Sequence, residues 1–148
     1  MSKAVKLKNN LYLDTRGAVH NGTILKTYLD TKTIYDSGSN TLGSYIRFQD
    51  GTMICWRTTP SMAGNITNQW ENIYYGKITT VYNYAMNFIS TPVIIWDVIP
   101  DTGIGCFKVS YEAPVITSSG ISNMSVARPN SRTNVSIKLW FIAFGKWK

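Results

Sequence analysis

Carboxylates are scarce in this chain, and three of them lie close enough in sequence to be considered for catalysis. The chain has eight acidic residues, and Asp97, Asp101 and Glu112 fall around one loop and the strand predicted to follow it. Glycoside hydrolysis needs two carboxylates that flank the scissile bond. Asp101 is followed by Thr102 and Gly103, which is the pattern of a turn. The sequence therefore predicts that the protein is not an enzyme. A small-sugar hydrolase that uses Asp97 and Asp101 is the remaining enzyme alternative.

Residues that could act as a nucleophile with its base, or as metal ligands, are equally few, because the chain has one histidine and two cysteines. A serine or cysteine nucleophile needs a histidine base, and the only histidine, His20, stands beside the turn-forming pair Asn21-Gly22. Cys55 and Cys106 are interpreted as two small buried apolar residues in a reducing compartment. A disulfide between them would require neighbouring strands. The sequence contains no CxxC motif and no Cys/His cluster, so neither a metal nor a cofactor is predicted.

Aromatic side chains beside polar ones are the remaining chemical signal, and they suit sugars. Sugar rings stack their C–H faces on aromatic rings, and their hydroxyls bond to Asn, Asp and Arg. The segment from Asn68 to Tyr75 contains both kinds of group, and it makes Trp70 and Tyr75 candidate contacts. Tyr74 and Tyr75 point to opposite faces of an extended strand, so only one of them can line a given site. The alternative is that Trp70 is a core or subunit-interface residue.

A second candidate segment is the basic loop Arg128-Pro129-Asn130-Ser131-Arg132. Two arginines four residues apart can clamp a phosphate or a carboxylate, although they can equally serve to keep a loop solvated. The predicted glycan-binding residues are therefore Trp70, Tyr75, Asp101, Arg128, Asn130 and Arg132. The other tryptophans are assigned elsewhere: Trp56, Trp96 and Trp140 to the core or a subunit contact, and Trp147 to a base plug or a surface anchor.

Charge and composition exclude several classes of partner. The net charge is +7, but the basic residues are spread along the chain without a run of four, whereas nucleic-acid binders usually cluster them. A diffuse positive surface favours anionic polymers such as teichoic acids or acidic capsules. No stretch of 18 apolar residues occurs and the N-terminus has no hydrophobic signal region, so neither membrane insertion nor secretion by a signal peptide is expected.

The distribution of leucine divides the chain. Five of the seven leucines stand at or before Leu29, and none lies between residues 43 and 138, where β-branched residues are abundant. We predict an N-terminal segment over 1–36, a flexible linker over 37–42 and a β domain over 43–148. In the first segment we expect two short strands, Val5–Leu7 and Leu11–Leu13, and a helix over Ile24–Asp30 capped by Thr23.

The β domain shows short apolar segments separated by turn signals at 50–51, 60–68, 91–92, 100–103, 114–120 and 128–130. This spacing predicts an antiparallel sandwich or barrel. The predicted strands lie near 45–48, 53–57, 73–82, 93–99, 105–112, 121–126 and 135–144. The segment 93–96 is apolar on both faces, so we expect it in a central strand or at a subunit contact.

Two segments taken together resemble a known family. YIRFQDGTMICW, from Tyr45 to Trp56, is a hairpin joined at Asp50-Gly51, and LWFIAFGKWK, from Leu139 to Lys148, is an aromatic closing strand. Their order and spacing resemble the C-terminal tip domains of bacteriophage tail fibres and receptor-binding proteins. The resemblance covers about residues 43–148, and neither motif is catalytic.

That resemblance implies an all-β antiparallel β-sandwich tip domain with a small N-terminal strand and short-helix segment, assembled as a homotrimer. It implies a host-adhesion role on the tail of a virion or phage-tail-like particle assembled in the host cytoplasm, with a bacterial surface saccharide or anionic wall polymer as ligand. Residues 1–36 are similar to attachment or stem segments that meet other tail or baseplate proteins. Two alternatives stay open: a structural tail subunit that contacts only virion proteins, and a monomeric carbohydrate-binding module.

Overall fold

The computed structural model describes residues 5–6, 11–14, 17–20, 23–24, 33–101 and 105–148, and these residues contain strands and turns but no helix. Four short strands form an antiparallel N-terminal sheet in the order β1-β2-β3-β4. They are β1 (Val5–Lys6), β2 (Leu11–Asp14), β3 (Gly17–His20) and β4 (Thr23–Ile24). Within the described ranges no helix is long and apolar enough to cross a membrane.

The largest sheet has six strands and is built around the C-terminal strand. Its order is β12-β17-β7-β6-β5, and β8 pairs with the first part of β17. The strands are β5 (Ile34–Asn40), β6 (Gly43–Phe48), β7 (Thr52–Thr58), β8 (Met62–Ile66), β12 (Val93–Pro100) and β17 (Arg132–Lys146). The β6–β7 hairpin turns at Asp50-Gly51, where Gly51 has φ 84°, as the Asp-Gly signal predicts.

Another antiparallel sheet, in the order β13-β16-β10-β9, packs against the six-stranded sheet. A small three-stranded sheet has the order β11-β15-β14. Their strands are β9 (Asn68–Trp70), β10 (Ile73–Ile78), β11 (Tyr82–Asn83), β13 (Phe107–Lys108), β14 (Val115–Ile116), β15 (Gly120–Ser122) and β16 (Met124–Arg128). All described strand pairs are antiparallel. The all-β antiparallel prediction is therefore confirmed.

The core lies between the two larger sheets and follows the period-2 alternation of their strands. On β17 every second residue from Val135 to Ala143 is buried, and on β7 Met53 and Cys55 are fully buried. Val126 and Met124 of β16 close the core from the other sheet. Burial of side chains of this size contributes about 2 kcal/mol each, so the alternation fixes which face of each strand points inward.

Several local predictions are wrong. The predicted linker, residues 37–42, is instead the end of β5 and its turn into β6, because Ser37 and Ser39 pair with Ile46 and Ser44. Thr23 and Ile24 form β4, so no helix begins there; residues 25–30 of that helix lie outside the described residues. Two predicted turns contain strands, namely β8 and the first residue of β9 within 60–68 and β14 within 114–120. Conversely, the strand predicted over 105–112 shrinks to β13.

Of the two positions predicted for the segment 93–96, a central strand or a subunit contact, the central strand is wrong. β12 lies at the edge of its sheet, with Trp96 6% exposed but Val93 72% and Ile95 53% exposed on the other side. Cys55 is buried and Cys106 half-buried, and both are free thiols. Trp147 is half-buried and donates its indole N–H to the Phe48 carbonyl at 3.0 Å. This hydrogen bond connects the segment after β17 to the β6–β7 hairpin.

Candidate functional site

Trp70 lies at the end of β9, at the tight turn into β10. Ile73 pairs with Trp70 across a two-residue turn, and Glu71 in that turn has φ 50°, the backbone region that hairpin turns of this length require. Trp70 is 40% exposed. It borders a shallow depression of about 160 Å³ that is also lined by Glu71, Asn72 and Ile73. The turn thus presents one large ring to solvent on a backbone fixed by strand pairing.

A third aromatic residue joins the two that the sequence singles out. Tyr111 packs edge-on against Trp70, with ring centroids 5.3 Å apart, and lies against Tyr75 with centroids 4.2 Å apart. Trp70, Tyr75 and Tyr111 are hereafter the aromatic cluster. The aromatic cluster lies on the side of the β13-β16-β10-β9 sheet that points away from the core, because Tyr74, the neighbour of Tyr75, packs against the core on the opposite side. The prediction that the two tyrosines point apart is therefore confirmed.

An ion pair and a backbone hydrogen bond hold the segment that carries Tyr111 over this sheet. Glu112 forms an ion pair with Lys77 of β10, and the Val109 N–H donates to the Ser125 carbonyl at 3.1 Å. A hydrogen bond with the Tyr111 hydroxyl is the main cause that raises the pKa of Tyr75. Burial and the charge of Glu112 raise this pKa further. Tyr75 therefore stays protonated at neutral pH and keeps a hydroxyl that can both donate and accept.

Arg128 ends β16 at the same end of the sheet. It pairs with Tyr74 of β10, so the Pro129–Ser131 turn and the Glu71-Asn72 turn lie side by side. Its Nε and Nη1 atoms are buried and have no hydrogen-bond partner. Since a buried guanidinium donor without an acceptor is costly, this side chain has unused capacity for an anionic acceptor. Arg128 lies on the same side of β16 as the buried Val126, however. Its side chain therefore leaves the sheet on the side opposite the aromatic cluster.

Asn130 lies in the turn after Arg128 and Arg132 follows it, and both are exposed. Arg132 begins β17 and pairs with Ile66 of β8. The bulge that follows contains Asn134, with φ 51°, whose N–H donates to Asn65 Oδ1 at 3.1 Å. The basic loop is therefore anchored at both ends by strand pairing, while Asn130, Ser131 and Arg132 are exposed to solvent.

Asp101 lies apart from these residues and is engaged in structural contacts. Its carboxylate accepts a hydrogen bond from the Ser136 hydroxyl and lies 3.8 Å from Lys138 Nζ. The Ser136 hydroxyl, against a smaller opposing effect of burial, holds the pKa of Asp101 below its ordinary value. Asp97 accepts from its own neighbour, the Val98 N–H, at 2.8 Å, and Glu112 pairs with Lys77. The three carboxylates considered for hydrolysis thus have separate partners, and none of the described residues forms a cluster of three or more potential metal ligands.

The structure therefore brings together Trp70 and Tyr75 and sets the start of the Arg128–Arg132 loop beside the β9–β10 turn. Arg132 itself begins β17 in the six-stranded sheet, and Asp101 lies outside the group. Sequence reasoning missed Tyr111, which stood inside a predicted strand with no motif to mark it. A cavity of about 550 Å³ lies between the β5–β6 turn and the end of β7, bordered by Trp56 and Arg57, and contains none of the predicted site residues.

Comparison with known proteins places the fold. No protein-family model matches the chain, and no curated protein sequence does. Among solved structures, an N-truncated R1-type pyocin tail fibre matches with a TM-score of 0.51 and 10% identity over 86% of this chain and 99% of the other. The P. aeruginosa R1 pyocin fibre comprising C-terminal residues 323–701 matches with a TM-score of 0.53 and 12% identity over 98% of this chain and 35% of the other. The resemblance to tail-fibre C-terminal domains is thus confirmed at the level of the fold.

Proposed function

We propose that the protein is a receptor-binding protein of a phage tail or phage-tail-like particle, which adheres to a bacterial surface saccharide or anionic wall polymer without cleaving it. The observation that carries the proposal is an exposed aromatic cluster on a tail-fibre-like fold. Rings on a rigid sheet contact a ligand with little loss of conformational freedom, since a side chain held by strand pairing and stacking is already ordered.

In this proposal Trp70 and Tyr111 supply the apolar surface on which a sugar ring stacks, and the hydroxyls and amides around them, such as Asn72, bond the sugar hydroxyls. Arg128 and Arg132, at the two ends of the loop that joins β16 to β17, bind the phosphate or carboxylate groups of the polymer. Asp101 is not part of the proposed site, because its carboxylate already accepts a hydrogen bond from Ser136 and lies near Lys138.

We further propose that the protein acts as a homotrimer, with residues 1–36 contacting other tail or baseplate proteins in the virion. Three equivalent shallow sites on one trimer, and many trimers on one particle, would raise the strength of attachment well above that of a single site. This accounts for function without a deep pocket, because weak single contacts suffice when many act together.

The test is binding of the purified chain to an array of bacterial polysaccharides and teichoic acids, and to whole cells that display the bound polymer. We expect Trp70→Ala and the double variant Arg128→Ala/Arg132→Ala to lose binding. Lys148→Ala is the control, because it removes an exposed basic side chain outside both the proposed site and the β17 strand. Full binding by both site variants would reject these residues as the binding site.

A second function is favoured by one observation, namely the exposed apolar side of β12 with Val93 and Ile95. A structural tail or baseplate subunit that contacts only virion proteins would use such a surface. That function predicts no binding to any bacterial polymer, together with loss of particle assembly in variants of β12. The array and the assembly assay therefore separate the two functions.

A further inference from the structure

The six-stranded sheet has one face turned away from the core, and this outer face carries two apolar rows, one across four strands and one across three. In the first row Val93 lies opposite Phe144, Phe144 opposite Ile54, and Ile54 opposite Ile46. In the second row Ile95 lies opposite Ile142, which lies opposite Trp56. Directly opposed side chains on neighbouring strands contact each other, so the two rows form a continuous surface.

This surface is too exposed to be explained by packing within the described part of one chain. Exposed apolar residues on it are Ile34 at 55%, Trp56 at 40%, Val93 at 72%, Ile95 at 53% and Ile99 at 40%. Together they expose roughly 500 Å² of apolar surface, near the upper end of the largest patch on a typical monomer. A stable protein interface needs about 800 Å² from each partner, which these residues and the half-exposed ones between them can supply.

The rows also have defined margins. On β5 the residues that continue them are Ser37 and Ser39, opposite Ile46 and Ser44. Along the strands, Asp97 and Thr58 flank Trp140 just beyond the second row. An apolar centre with a polar rim is the anatomy of a protein–protein interface.

We infer that this outer face, from β12 across β17, β7 and β6 to β5, is where the chain packs against copies of itself about a three-fold axis. The inference rests on the homotrimer proposed above but does not require that the protein bind a glycan. A face five strands wide spans about 20 Å at the usual strand spacing. Three such faces around an axis bury both rows of every copy.

The face also contains a concavity that suits such packing. Trp56, Ile99, Trp140 and Ile142 line a groove of about 300 Å³, together with Arg57, Thr58 and Phe141. Aromatic residues at the centre of an interface carry a large share of the binding energy. A neighbouring copy that inserts an apolar side chain from its β12 edge would fill this groove.

The experiment measures the mass of the full chain by light scattering during size-exclusion chromatography, over a dilution series. The wild type should give three times 16.6 kDa, and Val93→Asp/Ile95→Lys should give a single chain mass. Val81→Lys is the control, because Val81 is also exposed, at 60%, but lies outside the outer face. It should leave the trimer intact.

Circular dichroism must show that the charged variant is folded, which its exposed positions favour. If it is unfolded, Val93→Thr/Ile95→Thr replaces it, since threonine keeps the β-branched shape. That variant should dissociate at a concentration at least about tenfold higher than the wild type does. A trimer unchanged by these variants would overturn the assigned face while leaving the trimer standing. A wild-type monomer or dimer would overturn the trimer and the inference together, without bearing on glycan binding.

Discussion

The ring of Tyr111 lies against the ring of Tyr75 with centroids 4.2 Å apart and planes tilted by 30°, although the two residues are far apart in the sequence. Tyr111 also contacts Trp70, so one residue from an irregular segment joins the two rings of the β9–β10 hairpin. The candidate site therefore depends on how the segment after β13 crosses the sheet, and Tyr111 is the residue whose removal divides the cluster.

We predict that Tyr111→Ala weakens binding to the bacterial polymer by about two- to tenfold, because a ring contact of this kind contributes about 0.5–1.5 kcal/mol. Tyr111→Phe keeps the ring and should retain most of the binding. Binding of the array polymer measured by biolayer interferometry compares the two. Equal loss in both variants would mean that the hydroxyl, and not the ring, is the contact.

Gly76 is predicted to be irreplaceable for packing. A Cβ at this position would lie 2.1 Å from the backbone oxygen of Asn65, whereas a Cβ at Gly64 would meet nothing within 4 Å. Gly76→Ala should therefore lower the free energy of unfolding by about 3 kcal/mol or more. Gly64→Ala should change it by about 0.5 kcal/mol or less. Urea unfolding followed by tryptophan fluorescence measures both, and a stable Gly76→Ala protein would contradict the close approach of β8 and β10.

Two buried tyrosines should respond oppositely to loss of the hydroxyl. The Tyr84 hydroxyl is buried without a hydrogen-bond partner, and burial, with a smaller effect of Cys55, raises the pKa of Tyr84 to about 12. Tyr84→Phe should stabilise the protein by about 1 kcal/mol, because it removes an unsatisfied polar group. The Tyr82 hydroxyl donates to Met62 Sδ at 2.8 Å, so Tyr82→Phe should be destabilising. Thermal unfolding of the two variants, side by side, gives the sign of each effect.

Asp101 should contribute an acid-sensitive component of stability. Its pKa is lowered in the folded protein, chiefly by the Ser136 hydroxyl, so the carboxylate stabilises the fold above the ordinary pKa of an aspartate. This stabilisation is lost as the pH falls through the lowered value. The difference in melting temperature between wild type and Asp101→Asn should be greatest at neutral pH and should shrink below about pH 4. Ser136→Ala should show the same trend, and a difference independent of pH would rule out the carboxylate as its source.

Local chemistry accounts for what the sequence alone could predict. The Asp50-Gly51 turn follows from the positive φ that glycine accepts without cost, and the burial of alternate residues on β17 follows from the period of a strand. The separation of Tyr74 and Tyr75 onto opposite faces has the same cause. The resemblance carried by Tyr45–Trp56 and Leu139–Lys148 correctly indicated a tail-fibre-like fold, because those two segments form neighbouring strands of one sheet.

What the sequence could not decide depends on contacts between distant segments. The serine- and glycine-rich stretch around Gly38 looked like a linker, yet pairing with β6 makes it a strand, because backbone hydrogen bonds do not depend on side-chain type. The apolar character of β12 on both faces indicates either a central strand or a subunit contact, and only strand order shows that β12 is an edge. Tyr111 carries no local signal at all. Strand order and the path of irregular segments are set by packing over the whole chain, and so the aromatic cluster and the outer face emerge only in the tertiary structure.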